Sequence, residues 1–141
     1  MTPESKIEIA RRATEAMRRR DLDALRELLA PDCEFVPIRA DVEDTVFRGL
    51  DALPQWFAIT DEAWESWTSE TESIREGPNW VLGFVRLRAR GRESGAELDV
   101  PGAGVYRFRD GLITAIRVYT SRADALADLG LASDPAAVDA D

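Results

Sequence analysis

The residues that could do chemistry in this chain are bounded first by what is missing. There is no histidine, which excludes Ser-His and Cys-His nucleophile pairs and the imidazole ligands of ordinary catalytic zinc. Cys33 is the single cysteine, so neither an internal disulfide nor a cysteine-rich metal cluster can form. It reads as a small buried hydrophobe, since nothing supplies a paired base. No metal and no cofactor are expected. Chemistry must then rest on carboxylates, Arg, Tyr, hydroxyls or backbone groups. Glu34, Asp41, Glu43, Asp44 and Asp99 are the candidate acids, because a carboxylate between apolar walls takes a raised pKa and works near neutral pH. Asp99 leads them. Pro101-Gly102 just beyond it predicts a β-bulge, which would reverse the strand's parity and turn Asp99 inward. Arg86, Arg117 and Tyr119 are its candidate polar partners.

The elements that must position these residues follow from caps and periodicity. Thr2-Pro3-Glu4 has the pattern of a helix start, and Ile7, Ala10, Ala13 and Met17 form the apolar stripe of a helix reaching residue 20. Asp21 caps a second helix whose Leu22, Leu25, Leu28 and Leu29 face inward, and Pro31-Asp32 stops it. Residues 33–37 read as a short strand, 38–44 as a polar loop and 45–47 as a second short strand. Asp51 caps a third helix over 52–66, with Trp56, Phe57, Ala63, Trp64 and Trp67 supplying an aromatic-rich face. Beyond it the period changes to two. Strands are expected over 68–76, 80–89, 96–108 and 112–119, joined by Gly77-Pro78-Asn79, a turn over 91–95 and the hairpin turn Arg109-Asp110-Gly111. Ser121 caps a last helix that ends at Gly130. Helices segregated from an antiparallel meander make an α+β fold, a curved sheet around helices whose cone-shaped mouth is a natural ligand cavity.

Composition narrows the setting. The 141 residues suit one domain over 1–131, followed by a short acidic tail, 132–141, with the composition of a disordered segment. Net charge is −9, which repels phosphate backbones and argues against nucleic-acid binding. The basic run Arg18-Arg19-Arg20 reads as a solvated helix end. No apolar run is long enough for a membrane span, and the N-terminus lacks the apolar core of a signal peptide, so a cytoplasmic location is expected. Trp80, Leu82 and Phe84 alternate with Val81, Gly83 and Val85, making a strand apolar on both faces. Such a strand is normally covered on both, which predicts a homodimer through the sheet.

Several phrases, in this order, resemble the SnoaL-like (polyketide cyclase-like) branch of the nuclear transport factor 2-like superfamily. They are Arg20-Asp21-Leu22-Asp23-Ala24-Leu25, Phe47-Arg48-Gly49-Leu50-Asp51-Ala52 and Tyr106-Arg107-Phe108-Arg109-Asp110-Gly111-Leu112-Ile113, with Arg117-Val118-Tyr119, Arg122 and Ala125-Leu126. The resemblance spans roughly Glu4 to Leu131 and implies a cystatin-like α+β barrel. It does not imply an activity, because this fold hosts isomerases, cyclases, dehydratases, epoxide hydrolases and non-catalytic binders. Ketosteroid isomerases of this fold use a Tyr, a base Asp and a protonated Asp, and those positions fall here on Ala13, Pro37 and Gly104. The epoxide-hydrolase positions fall on Val85, Leu87 and Val118, and the dehydratase histidines have no counterpart. The abundance of Arg and Ala, with Lys6 the one lysine, resembles a GC-rich bacterial genome.

The same correspondence defines a pocket. Phe35, Pro37, Val85, Gly104, Tyr106, Ile116 and Val118 share inward parity, with Gly102 and Gly104 leaving space, and Trp56 and Trp64 close it from the helix. Three readings stay open. The first is a module binding a small hydrophobic or aromatic metabolite in an apolar cone, without the recognised catalytic residues. The second is an enzyme of isomerase, cyclase or hydrolase type using Asp99. The third is a dimeric interaction module with a vestigial pocket.

Overall fold

The computed structural model describes residues 5–36 and 46–131. The expectations for Thr2-Pro3-Glu4, Pro37, Asp41, Glu43, Asp44 and the tail 132–141 therefore concern residues outside this set.

Helix α1 (Lys6–Arg19) is capped by Ser5. The Ser5 Oγ accepts from the Glu8 amide at 3.2 Å, satisfying one of the donors that a helix start leaves free. Helix α2 (Leu22–Leu28) starts at Asp21 as its sequence dictates, with the carboxylate accepting from the Ala24 amide at 3.1 Å. Strand β1 (Leu29–Val36) follows without a break, so Pro31-Asp32 lies inside the strand. After β2 (Phe47–Arg48), a 3-10 turn over Leu50–Ala52 leads into α3 (Leu53–Ala63), and Asp51 sits in that turn instead of capping a helix. Strands β3 (Trp64–Glu76), β4 (Trp80–Gly91), β5 (Glu97–Arg109) and β6 (Leu112–Tyr119) complete the sheet. Ser121 then caps α4 (Arg122–Asp128) through the Asp124 amide.

One boundary differs from expectation in a way that matters. The third helix stops at Ala63, three residues early, and Trp64 and Trp67 belong to β3. A ladder to β4 that reaches Trp64 opposite Gly91 outweighs the helical spacing of the aromatics. The Thr/Ser/Glu-rich sequence that follows has little helical apolar stripe to oppose it.

The six strands form one sheet in the order β2-β1-β6-β5-β4-β3. From β3 to β6 it is the expected antiparallel meander. The added feature is β1, which runs parallel to β6, with Phe35 opposite Ile116. Strands β2 and β3 are the two edges, so the sheet curves without closing into a barrel. The β5–β6 hairpin turns on Asp110 (φ 55°) and Gly111 (φ 81°). That pair of left-handed residues is what a type I′ turn requires.

Two cores lie on opposite faces of the sheet. On the inner face Phe35, Ile74, Val81 and Ile116 pack with Ile9, Ala10 and Ala13 of α1 and with Leu25 and Leu53. On the outer face Leu82, Phe84, Ala103, Val105 and Tyr119 pack with Ala125 of α4. Two guanidinium groups also lie against the Phe84 ring, Arg75 Cζ at 3.9 Å and Arg122 Cζ at 4.7 Å from its centre. Phe84 and Leu82 are thus buried within their own chain, with half-buried Trp80 packed beside them. On this second apolar face of β4, α4 packs over the neighbouring β5 and β6, and Arg75 and Arg122 lie against Phe84. Among the described residues no helix is long and apolar enough to cross a membrane.

Candidate functional site

The strand register decides which predicted residues meet. Val81, Gly83, Val85 and Leu87 of β4 stand opposite Tyr106, Gly104, Gly102 and Val100 of β5. Tyr106 and Gly104 stand opposite Ile116 and Val118 of β6, and Ile116 opposite Phe35 of β1. Phe35, Val85, Gly104, Tyr106, Ile116 and Val118 therefore share the inner face. Trp56 joins them from α3. Its ring stacks on Phe35 at 5.6 Å and on Phe57 at 5.8 Å, and Arg20 Cζ lies 4.4 Å over Phe57. Arg20 also pairs with Asp61 at 2.6 Å. The third residue of the basic run is thus a clamp between α1 and α3. Trp64, expected on the helix, instead begins β3.

The two strand glycines behave differently. A Cβ on Gly104 would meet only the Tyr106 ring, at 3.7 Å, and one on Gly83 only Val85, at 3.9 Å. The pair Gly83–Gly104 is therefore a bare patch on the inner face, beside Tyr106. Gly102 leaves no such space. A Cβ there would stand 2.4 Å from Leu87 Cδ1 and 2.5 Å from the Tyr119 carbonyl oxygen, so Leu87 already fills the room expected for a ligand.

The expected bulge at Pro101-Gly102 is absent. The β4–β5 register runs unbroken from Trp80–Arg107 to Arg90–Glu97. The last β5–β6 pair is Ala103–Tyr119, so Pro101 lies where β5 has a neighbour on one side only, and a missing donor toward the open side breaks no ladder. Parity is kept, and Asp99 points outward. It is exposed, accepts from Arg86 Nε at 2.6 Å and lies 3.6 Å from Arg88 Nε. The Arg86 hydrogen bond, helped by both positive charges, holds its carboxyl below the usual range. That is the reverse of an acid kept protonated for catalysis. The proposed polar partners are on the outer side too. Arg86 belongs to Asp99, Arg117 lies 4.8 Å over the Tyr119 ring, and Tyr119 donates to Asp128 Oδ2 at 2.5 Å. Burial and Asp128 raise the Tyr119 phenol, while Tyr119 and Arg107 hold Asp128 low against its own burial. This cluster pins α4 to the sheet.

Among the other candidate acids, Glu34 accepts from Arg48 Nη2 across β1–β2 at 2.5 Å. Glu76, opposite Val81 at the end of the inner face, is tied to Lys6 at 3.0 Å. Cys33 is fully buried, and burial together with Asp32 and Glu34 pushes its thiol up to about 12. It is not a nucleophile at neutral pH.

Two polar features of the inner face were not singled out from sequence. Thr14 hydrogen-bonds the Tyr106 hydroxyl, and its Oγ1 also donates to the Ala10 carbonyl at 2.9 Å. A carbonyl can only accept, so the Thr14 proton is committed there and the proton shared with Tyr106 is the phenol's own. Tyr106 therefore presents an oxygen lone pair and no free proton. Burial raises its pKa, and the Thr14 bond offsets this only in part. Thr14 stands four residues after Ala10 on the apolar stripe of α1, and that spacing was the signal available for it. The second feature is the indole Nε1 of Trp56, which is buried with no hydrogen-bond partner. A buried donor left in this state costs about 1–3 kcal/mol, and native structures rarely keep one without a reason.

Comparison with known proteins gives the family. The family model described as SnoaL-like domain matches residues 10–116. An NTF2-like protein from Burkholderia thailandensis superposes with a TM-score of 0.72 at 20% identity, covering 92% of this chain and 98% of its own. A protein of ketosteroid isomerase-like fold from Catenulispora acidiphila, solved with trimethylamine, gives 0.66 at 24% identity, covering 91% and 98%. TerC, co-crystallised with polyporic acid, gives 0.69 at 17% identity, covering 87% and 95%. No curated protein matches the chain. With its inner-face aromatics, its open six-stranded sheet and a family match over most of its length, the chain belongs to the SnoaL-like domain family.

Proposed function

We propose that this SnoaL-like domain is a binding module that holds a small, uncharged, largely hydrophobic molecule against the inner face of its sheet, without acid/base turnover. One observation carries this reading. Phe35, Trp56, Tyr106 and the bare Gly83–Gly104 patch converge on that face, while Glu34, Glu76 and Asp99 are each held by a cation. Aromatic walls with a few fixed polar groups are the usual make-up of a small-molecule site. The resemblance puts the positions that carry a proton in isomerases on Ala13, Pro37 and Gly104, none of which can move one through its side chain, and Ala13 is fully buried. Structural neighbours solved with trimethylamine and with polyporic acid support the idea that this architecture receives small organic molecules.

The test is direct titration with flat aromatic probes, followed by tryptophan fluorescence and calorimetry, on wild type and on Gly104→Leu. Saturable one-to-one binding to the wild type, weakened tenfold or more by the leucine that fills the patch, is the expected result (about 1.4 kcal/mol). Binding unaffected by Gly104→Leu would place the ligand elsewhere. Turnover that is abolished by Asp99→Asn would restore the enzymatic reading.

A further inference from the structure

The end of α3 carries no local stop. Trp64, whose amide still donates to the Thr60 carbonyl, is followed by Glu65-Ser66-Trp67, with none of the glycine or proline that ordinarily closes a helix. Trp56, Ala63, Trp64 and Trp67 stand at i, i+7, i+8 and i+11, so the apolar stripe of the helix continues through residues that the sheet has taken. Arg92, in the turn between β4 and β5, closes the helix instead. Its main-chain N–H donates to the Ala63 carbonyl at 3.1 Å, its Nε to the Asp61 carbonyl at 2.9 Å and its Nη2 to the Trp64 carbonyl at 3.4 Å. A longer helix would need those same acceptors: Asp61 for the Glu65 amide, Ala63 for Trp67 and Trp64 for Thr68. We propose that residues 64–67 are a two-state segment, strand or one further turn of α3, and that Arg92 is the latch that holds them in the strand.

The strand side of this balance is lightly held. Strand β3 is an edge, with β4 on one side only. Its register slips between Trp64 and Ser66, which leaves Glu65 out of the ladder as a bulge. Leaving the strand therefore gives up few ladder bonds, and the extra helical turn regains bonds along the chain once Arg92 releases the carbonyls. The helix start is fixed elsewhere, and Arg20 ties α1 to Asp61 at 2.6 Å, so a change of state is confined to the helix end. In the strand, Trp64 and Trp67 stand opposite Gly91 and Ala89, on the same alternation of β4 as Leu87 and Val85. In the helix they would continue the stripe that begins at Trp56. The segment is thus a strap at the far end of the inner face, and its two indoles move with it. This device is independent of the binding reading and stands or falls without a ligand.

Chemical-exchange saturation transfer NMR on the full chain tests it, because that method reads the backbone shifts of minor states exchanging on this timescale. Wild type, Arg92→Ala and Glu65→Pro are compared, with the double variant. Arg92→Ala frees the Asp61 and Trp64 carbonyls. Glu65→Pro removes the amide that the extra turn must donate to Asp61, and it favours the extended backbone that Trp64 already has (φ −122°, ψ 127°). Wild type should show a minor state with helical Cα shifts at residues 65–67. Its population should rise about tenfold in Arg92→Ala, the worth of one lost hydrogen bond. Glu65→Pro should abolish it in both backgrounds, a comparison with wild type that stands even if Arg92→Ala fails to fold. The proposal is overturned by a wild type without a helical minor state, by a minor state with random-coil shifts, by a population that Arg92→Ala leaves unchanged, or by one that survives Glu65→Pro.

Discussion

Alanine at Gly102 and at Gly104 should have opposite effects, although the two glycines are separated by one residue on the same strand and face the same way. At Gly102 the new methyl would stand 2.4 Å from Leu87 Cδ1, 2.9 Å from Leu87 Cγ and 2.5 Å from the Tyr119 carbonyl oxygen. Leu87 is fully buried and has little freedom to rotate away. The carbonyl belongs to backbone at the end of β6 and can yield only by displacing the strand. Overpacking of a closed core costs about 1–3 kcal/mol, and the backbone contact places this case at or above the upper end of that range. With about 3 °C of melting temperature per kcal/mol for a chain of this size, Gly102→Ala should melt roughly 9 °C below wild type. At Gly104 the methyl meets only the Tyr106 ring at an ordinary 3.7 Å. Gly104→Ala should therefore be neutral or raise stability by about 0.5–1 kcal/mol, because glycine is a weak strand residue. Scanning calorimetry with circular dichroism at matched concentration checks both. If Gly102→Ala melts within a degree or two of wild type, Leu87 does not fill that space and the inner face is roomier than described.

Other perturbations test the remaining parts of the structure. Asp99→Asn should leave both melting temperature and probe affinity unchanged in thermal and calorimetric titrations, since the exposed carboxylate serves only its arginines. Trp56→Phe should hold or raise the melting temperature of the unliganded protein, because it removes a donor that has no partner. A marked fall would mean that the indole N–H is satisfied. Cys33 should resist thiol reagents under native conditions and react on unfolding. Its thiol is raised in the folded state from 9.0 to about 12, so its contribution to stability is complete below pH 9 and is lost as pH rises toward 12. Cys33→Ala should flatten that part of the alkaline unfolding curve. Tyr119→Phe should loosen α4, seen as faster amide exchange over Arg122–Asp128 with little change at α1.

Much of this architecture is legible in the residues, where local chemistry and tertiary packing agree. Asp21 and Ser121 cap the helices they precede because a side-chain oxygen there meets a free amide whatever lies around it. Asp110-Gly111 turns a hairpin for an equally local reason. The failures come where a distant neighbour decides. Trp64 and Trp67 have helical spacing, yet β4 lies alongside and claims them for the sheet. Pro101-Gly102 has the composition of a bulge, but β6 has ended by then and Leu87 needs the glycine, so the register runs straight and Asp99 stays outside. The inner-face positions Phe35, Gly104, Tyr106, Ile116 and Val118 follow from strict alternation. Thr14 and the stranded Trp56 N–H do not, because hydrogen-bond satisfaction is a property of the assembled interior.

The parallel seam between β1 and β6 carries a consequence for how the protein is made. It joins segments roughly eighty residues apart in the chain, Phe35 against Ile116 and Leu29 against Ile113, and these residues belong to the inner core that also seats α1. Until the last strand has left the ribosome, Leu29, Cys33 and Phe35 have only the two-residue β2 to pair with, Phe35 opposite Phe47. The nascent N-terminal half must wait with the other edge of its apolar strand unpaired. The β3–β6 meander closes through local hairpins and can form first, leaving a late, long-range docking of β1 as the slow step. Chains stalled or truncated before Leu112 would expose that strand and be prone to aggregate, a vulnerability that belongs to the topology and is independent of any ligand.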